Sequence, residues 1–446
     1  MSEAKPVSKV ATLRASFPEG TIPVAAALLV AGVATYLFFQ IGTNAVGGKE
    51  NFTPLSSLWF ATFVLAPGFF LPLEQELGRG LGHRRAVGEG GRPVVDKVAR
   101  LGFLLGGMVA LAIICVSPWI TSAYFDGDWV MLVALVVGFC AYAPAHIARG
   151  ICSGSGRFQS YAVVIGSDGV VRVTVCALFA LVGISAVGPY AFLIALSPLV
   201  GIGYVASKGQ LVTSDGPEAT WKEVTPNLGW LLLGSVFAAA LLNAGPVLVN
   251  ILSDDTPAAE EMVTEFGYGV LLARIPLFMF QAVQAALLPR LSRLAASGNF
   301  AEFRNGLRRL LILVIGVGIV GSLSALAIGP FVLEKVYDAD LDGVTLAILA
   351  AGSGCYMVAL ALAQAVIALK GHKLVALGWV TGAVALAIGV WVGSDDVFRR
   401  VEIGVLASSI AAMTFFAFAL RYKLGSGARP DNESVLEALT DRPLES

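Results

Sequence analysis

The chain has 446 residues, of which 57% are hydrophobic and only 14% charged, with a mean hydropathy of +0.79 and a formal net charge of -1 at pH 7. Soluble domains carry about 25% charged residues, so this composition excludes a soluble globular protein and indicates a polytopic membrane protein. The near-zero net charge offers no footprint for nucleic acid, and five dispersed cysteines make neither a disulfide framework nor a metal cluster.

Residues 1–20 are polar and read as a cytoplasmic N-terminus. The apolar run from Ile22 to about Ile41 is longer than a signal-peptide core and lacks a small-residue cleavage site, so it is taken as the first transmembrane helix. About 20 apolar residues cross a bilayer. By that measure the predicted spans of the first half are 21–43, 53–77, 98–120, 129–150, 158–182 and 188–207. Those of the second half are 225–252, 265–288, 309–331, 344–369, 373–393 and 399–422. The fold class is therefore all-α and polytopic, with twelve transmembrane helices in two six-helix lobes. The N-lobe covers 21–207, a cytoplasmic linker 208–224, the C-lobe 225–423, and a polar tail 424–446 is read as disordered and cytoplasmic.

Lysine and arginine gather on one side of this arrangement. Arg79, Arg84, Arg85, Arg92, Lys97 and Arg100 fall in the second-to-third connection, and Arg149 and Arg157 in the fourth-to-fifth. Arg290, Arg293, Arg304, Arg308 and Arg309 follow the eighth span. The opposite side holds Lys49, Lys335, Arg399 and Arg400 and many acidic residues. The bias places both termini in the cytoplasm. The halves also repeat: the second and eighth spans each lead into a long basic connection, and a short glycine-bearing turn joins the fourth to the fifth span and the tenth to the eleventh. Two such units related by an axis along the membrane normal are a transporter plan.

Hydrocarbon cannot satisfy polar side chains, so those inside spans carry information. In the first span Tyr36, Gln40 and Asn44 recur every four residues. Asp168 and Arg172 in the fifth are spaced to form an ion pair, and Tyr161 shares their stripe. Asn243 and Asn250 share a face of the seventh. In the eighth, Arg274 stands near mid-span with no acid three or four residues away, and Gln281 lies within about 20° of the same face. A mid-membrane arginine costs roughly 2.5–3.5 kcal/mol on insertion scales, so it needs a partner or a wet cavity. Glu74 and Glu76 near the inner end of the second span point about 200° apart, one expected inward and one toward the headgroups. The three histidines are dispersed, and no HExxH, GxSxG or phosphate-loop motif occurs. The chain is read as a non-enzyme. The acidic pair Asp126 and Asp128 on the outer side is what a membrane glycosyltransferase would use, but their loop is only a few residues long.

The phrase Arg274-Ile-Pro at mid-helix, Leu288-Pro289-Arg290-Leu291-Ser292 at its exit, and Arg149-Gly150 through Gly156-Arg157-Phe158 resemble a known superfamily. It is the multidrug/oligosaccharidyl-lipid/polysaccharide exporters, and within it the polysaccharide (Wzx-like) flippase branch. The resemblance implies two lobes in a V, alternately open to either side, around a cationic cavity. It implies a flippase moving a polyprenyl-pyrophosphate-linked oligosaccharide, a cell-envelope precursor, from the inner to the outer leaflet of the plasma membrane. The alternatives are a cation-coupled drug or metabolite exporter of the same fold, and a membrane glycosyltransferase. Lipid II flippases of the superfamily carry an arginine in the eighth helix, as Arg274 stands here, and charges in the first helix. Here the first helix has Gln40 and Asn44 instead. Substrate binding is thus expected of Arg274, Gln281, Arg172, Gln40, Asn44 and Asn243, and ion coupling of Asp168 and Glu74. No cofactor is expected beyond a proton or sodium gradient or the membrane potential. Expected partners are the lipid-linked glycan, membrane lipids, and a polysaccharide polymerase or glycosyltransferases.

Overall fold

The computed structural model describes residues 21–224, 228–253, 256–277, 280, 291, 294–295 and 298–425. The first half contains α1 (Thr21–Ala45), α2 (Lys49–Ala86), α3 (Arg92–Cys115), α4 (Ser117–Tyr124), α5 (Trp129–Gly154), α6 (Phe158–Leu181) and α7 (Val187–Ser207). A short α8 (Trp221–Val224) ends the linker. The second half contains α9 (Leu228–Leu252), α10 (Pro257–Ala273), α11 (Phe300–Tyr337), α12 (Gly343–Ala368), α13 (His372–Val392) and α14 (Val397–Gly425). Among the described residues there is no strand, and eleven helices are long and apolar enough to cross a membrane. The protein is an all-α polytopic membrane protein.

Local chemistry sets the helix ends. Asp128 accepts a bond from the Val130 N–H at 2.7 Å and starts α5, and Asp342 accepts from Val344 and Thr345 and starts α12. Gly156 adopts φ 72°, which lets the Arg157 N–H fold back to the Cys152 carbonyl at 2.7 Å and close α5.

Several predicted boundaries need correction. The second span is not 53–77 but a helix of 38 residues, so Arg79, Arg84 and Arg85 are helical rather than in a loop. Likewise α11 begins at Phe300, which makes Arg304, Arg308 and Arg309 helical. Hydropathy marks only the apolar part of a helix, and these helices continue past it through polar residues. The third span breaks at Val116, because Pro118 cannot donate to the Ile114 carbonyl. The predicted tail boundary at 424 falls inside α14, which reaches Gly425. The N-terminus 1–20, the rest of the tail, Leu288, Pro289, Arg290 and Ser292 of the quoted phrase, and Arg293 lie outside the described residues.

The packing of the first half recurs in the second. α1 lies against α6 as α9 lies against α13, and α2 against α5 as α10 against α12. The pairs α3–α5, α5–α7 and α6–α7 recur as α11–α12, α12–α14 and α13–α14. Across the halves, α2 packs on α9 and α10. At the end expected to face outward both halves feed one core, in which Phe39 makes edge contacts with Phe52, Trp59, Phe60 and Tyr268, and Tyr268 stacks on Tyr337 at 4.3 Å. Toward the opposite end the described residues form two larger cores and a small one of Cys152, Val164 and Val205 within the first half. One of the larger two joins α2, α3 and α5 with the linker and Leu228, and the other is drawn from the second half alone.

Candidate functional site

Arg274 stands where the two halves meet. Pro276 has no N–H for the Leu272 carbonyl, so α10 stops at Ala273 and Arg274 becomes its cap, with its own N–H on the Leu271 carbonyl at 3.1 Å. The predicted continuous span 265–288 is therefore broken at the arginine itself. The side chain turns back onto α9: Nη1 donates to the Asn243 side-chain oxygen at 3.0 Å, and Nη2 to the Leu242 carbonyl. Its guanidinium lies 5.8 Å from the Phe60 ring centre, a cation–π contact from α2. The Tyr36 hydroxyl of α1 donates to the Leu271 carbonyl one turn away, and the Tyr356 hydroxyl of α12 to the Ala238 carbonyl at 2.9 Å. Among the described residues no carboxylate pairs with Arg274, so it carries a buried and uncompensated positive charge.

The space beside it is small. A cavity of about 30 Å³ opens between Leu242, Gly245, Pro246, Arg274, Tyr356 and Ser409, room for about one water. Among the described residues the guanidinium is drawn onto α9.

The other predicted residues divide. Asn243 joins Arg274, its own amide anchored to the Ala239 carbonyl at 3.0 Å. Arg172 does not: it is 2% exposed, and its Nη2 lies 2.6 Å from both Asp168 oxygens. Asp168 also accepts from the Ser197 hydroxyl and from Tyr142 at 3.4 Å. Its carboxylate thus has three partners, from α5, α6 and α7. Asn44 is exposed and donates to the Gln40 carbonyl at 2.9 Å, and Gln40 is half-buried. Gln281 lies outside the described residues.

Glu74 belongs to a third network. One oxygen meets His146 Nδ1 at 2.8 Å and Arg149 Nη2 at 3.1 Å, and the other accepts from the Tyr161 hydroxyl at 2.8 Å. Tyr161 therefore serves Glu74 and not the Asp168 stripe. Glu76 is also buried and pairs with Arg79 at 2.9 Å, so both acids are enclosed by the protein, against the expectation that one faces outward. Sequence reasoning passed over His146 and Arg149. Their spacing of three in an apolar helix was the available signal, since ionisable groups inside spans are functional by default.

Two further clusters bracket α2. At its outer end Lys49 Nζ meets Glu265 at 2.6 Å and Glu261 at 3.5 Å, and Thr53 meets Thr264 at 2.7 Å. At its inner end Arg84 holds Glu223 of the linker through both carboxylate oxygens, at 2.7 and 3.1 Å, and the Pro217 carbonyl at 2.7 Å. The bonds from Arg84 hold the Glu223 carboxyl below the usual glutamate range. Among the described residues no group of three or more histidines, cysteines or acids is placed to hold a metal.

No family model matches the chain. An uncharacterised protein of Mycobacterium tuberculosis strain H37Rv is 26% identical over 411 residues, which cover 85% of this chain and 88% of that protein. A second uncharacterised protein of the same strain is 27% identical over 302 residues, covering 64% of this chain and 66% of its own length. Among solved structures, a mutant of the Vibrio cholerae MATE transporter VcmN superposes with a TM-score of 0.70 at 14% identity, over 95% of this chain and 99% of that one. An inward-facing multidrug resistance MATE family transporter of the MOP superfamily gives 0.66 at 13% identity, over 90% and 98%. An outward-facing one gives 0.64 at 15%, over 91% and 96%. The chain has the MATE-like fold.

Proposed function

We propose that this chain is an alternating-access exporter of the plasma membrane, and that its cargo is a polyprenyl-pyrophosphate-linked oligosaccharide of the cell envelope. The coarse reading, transport, is supported by the fold and by one core shared by both halves at one end, with separate cores for each half toward the other. That arrangement lets the halves part at one end while they stay joined at the other.

The observation that carries the cargo is Arg274: a buried arginine at the junction of the halves, bound to an amide, a carbonyl and a ring, with no carboxylate among the described residues. An arginine can hold a pyrophosphate through two parallel charge-assisted bonds. As the lobes part, a pyrophosphate would replace the Asn243 and Leu242 oxygens on the guanidinium. The glycan would meet Tyr36 and Gln40, and the prenyl chain would stay in lipid. No covalent chemistry is required. The glycan's polymerase or glycosyltransferases are the partners such a role would bring.

A second reading is a cation-coupled drug or metabolite exporter. It is favoured by Asp168, a partly exposed carboxylate inside the first half, and by the multidrug transporters that share the fold. Lipid analysis after depletion separates the two. A flippase leaves a polyprenyl-linked glycan accumulated on the inner leaflet. If that glycan does not accumulate while sensitivity to a toxic cation rises, the second reading replaces the first.

A further inference from the structure

α2 is the element that both halves share. Its outer end is tied to α10 by Lys49 and its inner end to the linker by Arg84, and Glu74 lies between them, after Pro67 and Pro72. Glu74 is 5% exposed and His146 only 2%. The charged and titratable groups that face this carboxylate are His146 and Arg149 from α5 and Tyr161 from α6, with Tyr142 of α5 beside Arg149.

The charges of this cluster leave one group free to change. The Glu74 carboxylate and the Arg149 guanidinium cancel, and the tyrosines are neutral. A neutral imidazole that donates its Nδ1–H to Glu74 leaves a net charge of zero, and a proton on Nε2 makes it +1. The carboxylate favours that proton, while burial and the guanidinium oppose it.

Of the three charged or chargeable members, Arg149 is the most easily displaced. Its side chain is 21% exposed, against 3% for His146 and 6% for Glu74, and its Nε is buried without a hydrogen-bond partner. It sits in the last turns of α5, toward the inner surface.

We infer that Glu74, His146, Arg149 and Tyr161 form a proton-binding site that takes up one proton when Arg149 leaves Glu74. The proton comes from bulk water and settles on His146 Nε2. The imidazolium then replaces the guanidinium as the partner of Glu74. A ligand anion or a lobe movement that draws Arg149 away is thereby linked to proton uptake.

The chain has three histidines, so ring-labelled histidine spectra of the whole protein in lipid nanodiscs can be assigned by single substitutions. The expected result is that the His146 midpoint rises by about one pH unit or more in Arg149→Gln, a tenfold gain in proton affinity. Adding Glu74→Gln to that variant should reverse the gain. If Arg149→Gln does not fold, Tyr161→Phe is read instead. The carboxylate there loses a hydroxyl donor, and the midpoint again rises. An unchanged midpoint in the variant that is read, or a His146 signal that does not titrate between about pH 4.5 and 9 in any of them, overturns the proposal. The readout is titration rather than transport, so its failure leaves the reading of Arg274 untouched.

Discussion

Lys49 Nζ lies 2.6 Å from Glu265 Oε1, across the boundary between the halves, with 12% of each side chain exposed. The pair closes the outer end together with the Thr53–Thr264 bond and the shared aromatic core. Removing one partner of a buried charge-assisted bond costs about 1–3 kcal/mol. Lys49→Met should therefore shift the lobes toward an outer-open state by roughly 5- to 150-fold. Spin-label distances between the α1–α2 turn and the start of α10 would report it. Lys49→Met combined with Glu265→Gln should shift the lobes less than the two single effects added. A distance distribution identical to that of the unaltered protein would show that the pair does no gating.

The linker should be released by acid. Glu223 is held below the usual glutamate range, first of all by its bonds from Arg84. A carboxyl depressed in the folded state adds stability that is complete above its unfolded value of about 4.3. That stability is lost as pH falls through the lower folded value. Amide exchange across 208–224, corrected for intrinsic rates, should rise over that acid window. In Glu223→Gln the rise should be absent and exchange already faster at pH 7. The close fit of Gly90 to Asp215 gives a second handle, because a Cβ at Gly90 would lie 1.8 Å from the Asp215 carbonyl oxygen. Gly90→Ala should loosen the same segment at every pH.

Asp168 and Arg172 should behave as one structural unit. Breaking a buried pair by removing one partner costs about 3–5 kcal/mol, at the low end here because 19% of the Asp168 side chain is exposed. Asp168→Asn and Arg172→Gln should each lower thermal stability, and the double substitution should lower it by less than their sum. Gradient dependence of transport should survive Asp168→Asn, since its carboxylate is already engaged by Arg172, Ser197 and Tyr142. Loss of that dependence in a well-folded Asp168→Asn protein would return the coupling role to Asp168.

Features local to the chain were legible in the sequence. The spans follow from apolar length, and the Asp168–Arg172 pair from a spacing of four. Arg274 is conspicuous because a charge in hydrocarbon demands an explanation. The helix ends were not legible, since α2 and α11 continue as polar helix that hydropathy cannot separate from a loop. The tertiary partners were not legible either. Glu74 meets His146 across 72 residues and Lys49 meets Glu265 across 216. Periodicity speaks only to neighbours on one helix, so it assigned Tyr161 to Asp168 and sent one of Glu74 and Glu76 to the headgroups. Arg274 turning onto Asn243, rather than into an open chamber, depends on the break that Pro276 imposes. The sequence contains the proline, but not the direction in which the chain turns after it.

Arg274 should be essential for transport and of limited importance for folding. Its loss removes the guanidinium bonds to the Asn243 oxygen and the Leu242 carbonyl, at about 1–3 kcal/mol. Part of that is regained because a buried, uncompensated charge is removed. Arg274→Met, which keeps much of the side-chain length, should melt within a few degrees of the unaltered protein and fail to complement its loss. Arg274→Lys keeps a charge without the planar fork and should retain only part of the activity. Asn243→Leu leaves the guanidinium freer and should bind a short-chain polyprenyl pyrophosphate more tightly, while Arg274→Met should bind it at least tenfold more weakly, about 1.4 kcal/mol. Binding to purified protein in nanodiscs measures both, with the matching polyprenol as the uncharged control. If Arg274→Met folds, binds the pyrophosphate normally and complements fully, the arginine is a structural cap of α10 and the anionic cargo has no anchor at the junction of the halves.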